Sequence, residues 1–295
     1  MSGAAGELSR TVFGRPFQNP LLLAAGTAGF GRELAGVMEL DRLGGLVTKA
    51  VSLAPRHGNR APRVAEFRGG MVNSVGLANP GLEQVRTELL PWLAANVRRA
   101  QVLVNVVGFT TAEYGEVVAG LDGVPGIAAF ELNLSCPNTS AGGIEFGADP
   151  ECVRRIVSDC RARTRVPLSA KLSPVLPDIP GMALVARDAG ADAITVVNTI
   201  PGLLLAEGDT AAPRLGNGHG GVSGPVLLPI GVLAAARVVE RTGGMPVIGV
   251  GGVRSAADVR QYLRVGAALV GIGTAALADP RLPERIIRDL EHGDG

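Results

Sequence analysis

Pro246-Val-Ile-Gly249-Val-Gly251-Gly252-Val253 and, further on, Leu269-Val-Gly271-Ile-Gly273-Thr274 are the two stretches that decide how this chain folds. Each is a short apolar run ending in a glycine-rich turn, and a stretch of helical periodicity, Ala256–Val265, lies between them. That is the pattern of consecutive parallel βα units. When such turns follow the last two strands of a barrel, their backbone N–H groups face a helix N-terminus and form a cradle for a phosphate. The pairing carries the weight, because a lone glycine turn serves many loops. Gly26-Thr-Ala-Gly29-Phe-Gly31, for instance, has the wrong spacing for a dinucleotide fingerprint.

Working back from these turns, the same unit repeats. Eight short runs, mostly apolar on both faces as buried parallel strands should be, are Leu21–Ala25, Leu46–Lys49, Val102–Val107, Ala128–Ser135, Leu168–Ser173, Ala193–Asn198, Pro246–Val250 and Leu269–Ile272. Helical periodicity marks Arg32–Leu43, Glu83–Arg98, Ala112–Leu121, Pro150–Arg163, Pro180–Ala189, Pro229–Arg241, Ala256–Val265 and Pro283–Glu291. Strict alternation predicts an α/β fold, a (β/α)8 TIM barrel, with residues 1–295 as a single domain. Three intervals exceed what a barrel needs: Val51–Pro80, Cys136–Asp149 and Thr199–Gly224. All three follow strand C-termini, where a barrel keeps its active site, so they are expected to wall or cover the mouth. A hairpin in Val51–Pro80 that merely covers a sheet edge is the bland alternative.

Composition narrows the function. With 28 Lys+Arg against 27 Asp+Glu, the net charge of +1 leaves no basic surplus for nucleic-acid phosphates. The N-terminal MSGAAGELSRTVFGRPFQNP has no basic segment followed by an apolar run, and no stretch approaches the roughly 18 apolar residues of a membrane span, so a cytoplasmic protein is expected. Cys136, Cys152 and Cys160 lack CxxC spacing, which argues against a disulfide framework and against a metal site in this chain. Cys152 and Cys160 are expected to be small buried hydrophobes.

The chemistry gathers at the strand ends. Thr48-Lys49, Asn105, Asn133, Lys171 and Asn198-Thr199 are polar groups that a closed core would not tolerate without partners. Brought to one mouth, they suit a ligand rich in carbonyls and ring nitrogens, and two lysines suit a reducible ring that gains negative charge. A flavin with a phosphate tail fits. In Asn133-Leu-Ser-Cys136-Pro-Asn138, alternation puts Asn133 and Ser135 on one face, and Pro137 ends any ladder, leaving Cys136 at the mouth. An ionised thiol there, favoured by nearby lysines, can take a proton. His57, His219 and His292 have no motif around them and are expected in loops or at the surface, and the arginines of Arg56–Arg68 are expected to be solvated.

These motifs resemble the class 1 dihydroorotate dehydrogenases, and the likeness runs along nearly the whole chain. Its pieces are Thr48-Lys-Ala-Val-Ser52, Pro55-Arg-His-Gly-Asn59, Asn73-Ser-Val-Gly-Leu-Ala-Asn-Pro-Gly81, Asn133–Asn138, Lys171-Leu-Ser-Pro174, Asn198-Thr199, Gly220-Gly-Val-Ser-Gly-Pro225 and the two glycine turns. The resemblance implies FMN contacted near Ala25, Thr48, Lys49, Asn105, Asn133, Lys171, Val197 and Gly224, with its phosphate on Gly251, Gly252, Gly273 and Thr274. It implies a substrate held by Lys49, Asn73, Ser74, Val75, Gly76, Leu77, Asn133, Asn198 and Thr199, with Cys136 as the base that removes the C5 proton of dihydroorotate while C6 gives hydride to FMN. Family members often have Ser where this chain has Ala25, so a side-chain bond to the flavin is missing there.

Within class 1 the stretch Thr48–Arg63 and the length look like the NAD-linked 1B branch. That branch implies a homodimer core in a heterotetramer with a subunit carrying FAD and a 2Fe-2S cluster. The fumarate-linked 1A branch is the alternative. Other readings are a phosphate-binding isomerase barrel, which would be colourless; a non-catalytic flavin barrel, which would not bleach with dihydroorotate; and a dihydropyrimidine or dihydrouridine reductase, whose RNA-acting form should carry a basic face.

Overall fold

A computed structural model of the chain describes residues 8–135, 146–208 and 211–293. In chain order the strands are β1 (Arg10–Val12), β2 (Arg15–Phe17), β3 (Leu21–Leu23), β4 (Gly45–Val47), β5 (Val64–Phe67), β6 (Gly70–Asn73), β7 (Gln101–Val106), β8 (Ile127–Asn133), β9 (Leu168–Leu172), β10 (Ala193–Val196), β11 (Ile200–Gly202), β12 (Gly220–Ser223), β13 (Val247–Val250) and β14 (Leu269–Ile272). A closed barrel runs β3-β4-β7-β8-β9-β10-β13-β14 and back to β3, every pair parallel. These are the eight predicted runs, most of them shortened at the mouth: the strand expected over Ala128–Ser135 ends at Asn133 and the one over Ala193–Asn198 at Val196. The residues beyond turn into the loops that form the site.

Alternation sorts each strand between two cores. Leu22, Val47, Leu103, Ala129, Ile248 and Leu269 form one buried cluster inside the barrel, together with Val12 and Phe17 of the β1–β2 hairpin. That hairpin plugs the bottom. The alternate residues, including Leu21, Leu46, Val104, Phe130, Leu132, Ala170 and Ile194, pack outward against helix residues such as Tyr114, Val117, Ile156, Val238 and Tyr262. Helix starts follow local rules: Thr110, Asp149, Asp178 and Ser255 accept N–H bonds from Glu113, Glu151, Gly181 and Asp258.

Two helical expectations need correction. Arg32–Leu43 is a series of tight turns ending in a 3-10 turn, Leu40–Arg42, and not a helix. Gly31 sits at φ +85°, and the Glu33 carboxylate takes the Phe30 N–H at 3.1 Å, so the backbone is committed to turns before a helix can propagate. The helical run 82–96 contains a π turn, Val85–Leu89, just before Pro91. Proline lacks an N–H and its ring crowds the carbonyl one turn back, so the helix widens there. Cys160 is buried as expected, and burial, first, pushes its thiol up to about 12. Cys152 is only partly covered, its Sγ 3.1 Å from Asp149 Oδ2.

Of the long loops, Val51–Pro80 contributes the antiparallel hairpin β5–β6, and Thr199–Gly224 contributes β11 and β12. They join through β6 and β12 into a second sheet, ordered β11-β12-β6-β5, above the barrel mouth. Cys136–Asp149 lies outside the described residues up to position 145.

Asp41 ties the 3-10 turn to the entry of β7, its carboxylate accepting N–H bonds from Arg98 at 2.9 Å, Arg99 at 2.7 Å and Ala100 at 3.0 Å. Burial works to raise its pKa, but these backbone donors outweigh it and hold the group below its ordinary 3.8. Asp41→Ala should therefore cost about 1–3 kcal/mol at neutral pH, read as a lower denaturation midpoint. A carboxyl group with a lowered folded pKa stabilises fully above its unfolded value and loses that contribution as the pH falls through the lowered one. The gap between wild type and Asp41→Ala should narrow in acid; a gap that stays constant would remove the carboxylate from this role.

Candidate active site

Inside the barrel the apolar filling stops one layer short of the top. On β8 the inward series continues from Ala129 to Glu131 and Asn133; on β9 from Ser169 to Lys171; on β7 from Leu103 to Asn105; past the end of β4, from Val47 to Lys49. The parallel register sets these groups side by side, Asn105 opposite Glu131 and Lys171 opposite Asn133. Above them lies an open-topped cavity of about 850 Å³. That is within the roughly 300–1,000 Å³ of small-molecule and cofactor sites.

Nearly all the predicted site residues meet in this cavity. Ala25, Lys49, Asn105, Asn133, Lys171, Val197, Asn198 and Thr199 line it from the strand ends, while Asn73, Ser74, Val75, Gly76 and Leu77 descend from the upper sheet. Gly224, Gly251, Gly252, Gly273 and Thr274 close the far side. Thr48 does not line it: fully buried, its Oγ1 accepts the Asn105 N–H at 3.2 Å and donates to Lys49 O at 2.9 Å, fixing the backbone beneath two lining residues. Cys136 lies outside the described residues, although its neighbour Ser135 lines the cavity with a buried hydroxyl that has no partner among the described residues.

Side-chain amides at the mouth are oriented by one another. Asn198 Nδ2 donates to Asn133 Oδ1 at 3.2 Å, and Asn198 Oδ1 takes the Thr199 N–H at 2.8 Å. Asn73 Nδ2 donates to Gly221 O at 3.2 Å, tying the hairpin to β12. The 73–77 loop is braced by Asn59, whose Nδ2 reaches Ser74 Oγ at 2.8 Å and whose N–H bonds Val75 O at 3.1 Å. Gly76, at φ +73°, must be glycine, since a Cβ would stand 2.6 Å from Asn59.

The glycine turns are held from behind. Tyr262, fully buried on Gly249, donates its hydroxyl to Gly251 O at 2.8 Å. Burial, and then the Asp258 charge, drive its pKa upward, so it remains a donor. A Cβ on Gly252 would come within 2.4 Å of Leu228 N, so this turn is bare backbone facing the start of helix Leu228–Thr242. Thr274 Oγ1 bonds Ser223 Oγ at 2.8 Å, joining the second glycine turn to the upper sheet. Helix Thr274–Ala278 begins at Gly273 with no side-chain cap, which leaves its first N–H groups available.

Several features escape the motifs. Glu131, 1% exposed, accepts from Asn105 Nδ2 at 2.8 Å and pairs with Lys171 Nζ at 3.4 Å. Its signal was the alternation of β8, which places position 131 directly below Asn133. Arg56 is exposed, as expected, and in addition lines the rim, its guanidinium 4.0 Å from the Phe109 ring centroid. His219 is exposed and also lines the rim, whereas His57 and His292 are surface groups away from the cavity.

Residues 7–293 match the family model for dihydroorotate dehydrogenase. A dihydroorotate dehydrogenase B (NAD(+)) catalytic subunit of Desulforudis audaxviator is 43% identical over 280 residues, covering 95% of this chain and 90% of that protein. One of the same name from Cutibacterium acnes is 42% identical over 288 residues, 97% and 92% of the two chains. A Solibacter usitatus protein, named provisionally as a fumarate-type dihydroorotate dehydrogenase A, is 43% identical over 287 residues, 96% and 92% of the two chains. With a barrel mouth of this composition and likeness along almost its whole length, the chain belongs to the dihydroorotate dehydrogenase family.

Proposed function

We propose that this chain is the catalytic barrel of an NAD-linked dihydroorotate dehydrogenase, one domain over residues 1–295, that holds FMN and oxidises (S)-dihydroorotate to orotate in cytoplasmic pyrimidine synthesis. The observation that carries this reading is the convergence of Lys49, Lys171 and the amides of Asn73, Asn105, Asn133 and Asn198 on one cavity beside a bare glycine turn. The residues present fit the cofactor. At Gly252 any side chain would collide with Leu228, which keeps backbone N–H groups accessible to a phosphate, with Gly251, Gly273 and Thr274 alongside. Ala25, Lys49, Asn105, Asn133, Lys171, Val197 and Gly224 line the space left for the ring, with Thr48 supporting Lys49 and Asn105 from outside the cavity.

When bound, FMN supplies the acceptor for the hydride equivalent that leaves C6 of the substrate. The chain's own residues do the rest. Cys136, as thiolate, takes the proton from C5. Lys49 pairs with the substrate carboxylate, and the amides of Asn73, Asn133 and Asn198, with Thr199, match the alternating donors and acceptors of a dihydropyrimidine ring. Ser74, Val75, Gly76 and Leu77 cover the ring from the upper sheet and exclude water.

The names of the NAD-linked relatives, each a catalytic subunit, support a second subunit as the route for electrons. We assign to that partner FAD and a 2Fe-2S cluster, in a heterotetramer built on a homodimer of this chain. No described helix is long and apolar enough to cross a membrane. The Solibacter relative favours a second reading, a fumarate-linked homodimer.

Three measurements test this. Cys136→Ser should retain FMN yet slow its reduction by dihydroorotate about 10²–10⁴-fold at neutral pH, since a serine hydroxyl is seldom ionised; stopped-flow reduction at the wild-type rate would exclude Cys136 as the base. Lys49→Ala, saturated with FMN, should bind dihydroorotate roughly 10–100-fold more weakly, the loss of a charged hydrogen bond. Unchanged affinity would free Lys49 from substrate binding. The isolated chain should bleach its flavin anaerobically with dihydroorotate and reoxidise slowly on adding NAD. Fast reoxidation by NAD alone would refute the two-subunit form, and fast reoxidation by fumarate would favour the second reading.

A further inference from the structure

Glu131 takes no part in the chemistry above, yet among the described residues it is the one carboxylate that is fully buried. It lies on the inward face of β8, opposite Asn105 in the ladder with β7, and Lys171 on β9 faces the next inward residue, Asn133. One oxygen, Oε1, receives both Asn105 Nδ2 at 2.8 Å and Lys171 Nζ at 3.4 Å. Lys171 is itself 6% exposed. A carboxylate or ammonium left alone at such depth is strongly disfavoured, so the two charges hold each other in place.

We propose that Glu131 is a positioning residue that makes Lys171 part of a neutral pair and fixes which end of the Asn105 amide faces the ligand. The proposal rests on the FMN reading given above. An ionised carboxylate only accepts hydrogen bonds, so Asn105 must turn its NH2 toward Glu131 and its carbonyl oxygen away. Lys171 keeps two further N–H groups for the ligand but adds no net charge, because Glu131 cancels it at contact distance. Lys49, on the inward side of the chain past β4, forms no ion pair among the described residues. The two lysines at the mouth therefore differ: Lys49 supplies the uncompensated charge for an anion, and Lys171 supplies hydrogen bonds at a site held electrically neutral. Glu131 thereby sets the potential of the bound flavin, since removing its charge would favour the negatively charged reduced ring.

The test is the midpoint potential of the FMN-loaded protein, measured across its stable pH range for wild type, Glu131→Gln, Lys171→Met and the double variant. Glu131→Gln should bind reduced over oxidised flavin about tenfold more strongly than wild type does, a rise of ~30 mV for two electrons. Lys171→Met should shift the potential the other way, and the double variant should return close to wild type. Thermal melts should rank the double variant above either single one, because it buries no charge. Should Glu131→Gln not fold, the double variant decides: recovery of folding with a near wild-type potential supports the proposal, and failure to recover overturns it. Flavin bound in both single variants with potentials unmoved at every pH also overturns it, leaving the FMN reading intact. A wild-type protein with no flavin absorbance would instead end the FMN reading, and the proposal with it.

Discussion

Closure of a parallel barrel gives every strand residue only two places to go, and the rest of this molecule depends on that constraint. Each strand is hydrogen-bonded on both sides, so a residue faces either the helices or the axis. The outward set can be uniformly apolar. Apart from Ser169 and Thr195, whose hydroxyls bond each other at 2.9 Å, the inward set is apolar as far as the layer of Leu22, Leu103, Ala129 and Ile248, below which the β1–β2 hairpin seals the end with Val12 and Phe17. Above that layer the same alternation delivers Asn105, Glu131 and Lys171 into the buried floor of the cavity and Lys49, half-buried, to its wall. The hydrogen bonds that Asn105 and Lys171 give to Glu131 are the condition for burying those three.

The cavity owes its remaining walls to a second architecture. A four-stranded sheet assembled from two separate loops stands over the mouth, pinned to the barrel at Thr274–Ser223 and to itself at Asn73–Gly221. Because Thr274 stands on the second glycine turn, its bond to Ser223 couples the upper sheet to the cradle. Tyr262 performs a similar service from below, its ring filling the space beside Gly249 that a side chain would need and its hydroxyl setting the Gly251 carbonyl. Strand ends thus carry Asn73, Asn105, Asn133 and Lys171 to the cavity, while Lys49, Asn198 and the glycine turns reach it from the loops just beyond them.

Charge is arranged with equal economy. The deep pair Glu131–Lys171 is neutral, whereas Lys49 and, at the rim, Arg56 stacked on Phe109 leave the mouth positive. Under the proposed function, this asymmetry gives a substrate carboxylate one defined end of the site to meet and gives the flavin donors that carry little net field.

The periodicity of the sequence by itself determined the barrel, the order of its strands, and the set of polar strand ends. Those follow from local spacing: runs of buried β-branched residues, helices opened by Thr110, Asp149, Asp178 and Ser255, and glycines at two successive turns. Local spacing failed where neighbouring residues competed, as at Arg32–Leu43, where Gly31 and the Glu33–Phe30 bond commit the chain to turns. Only the tertiary structure decided which strand ends share a partner, that two distant loops build one sheet, and that Glu131 belongs to the site. The reason is physical: a strand's own pattern fixes which residues point inward, but the register between strands, imposed by closing the barrel, fixes which of them meet.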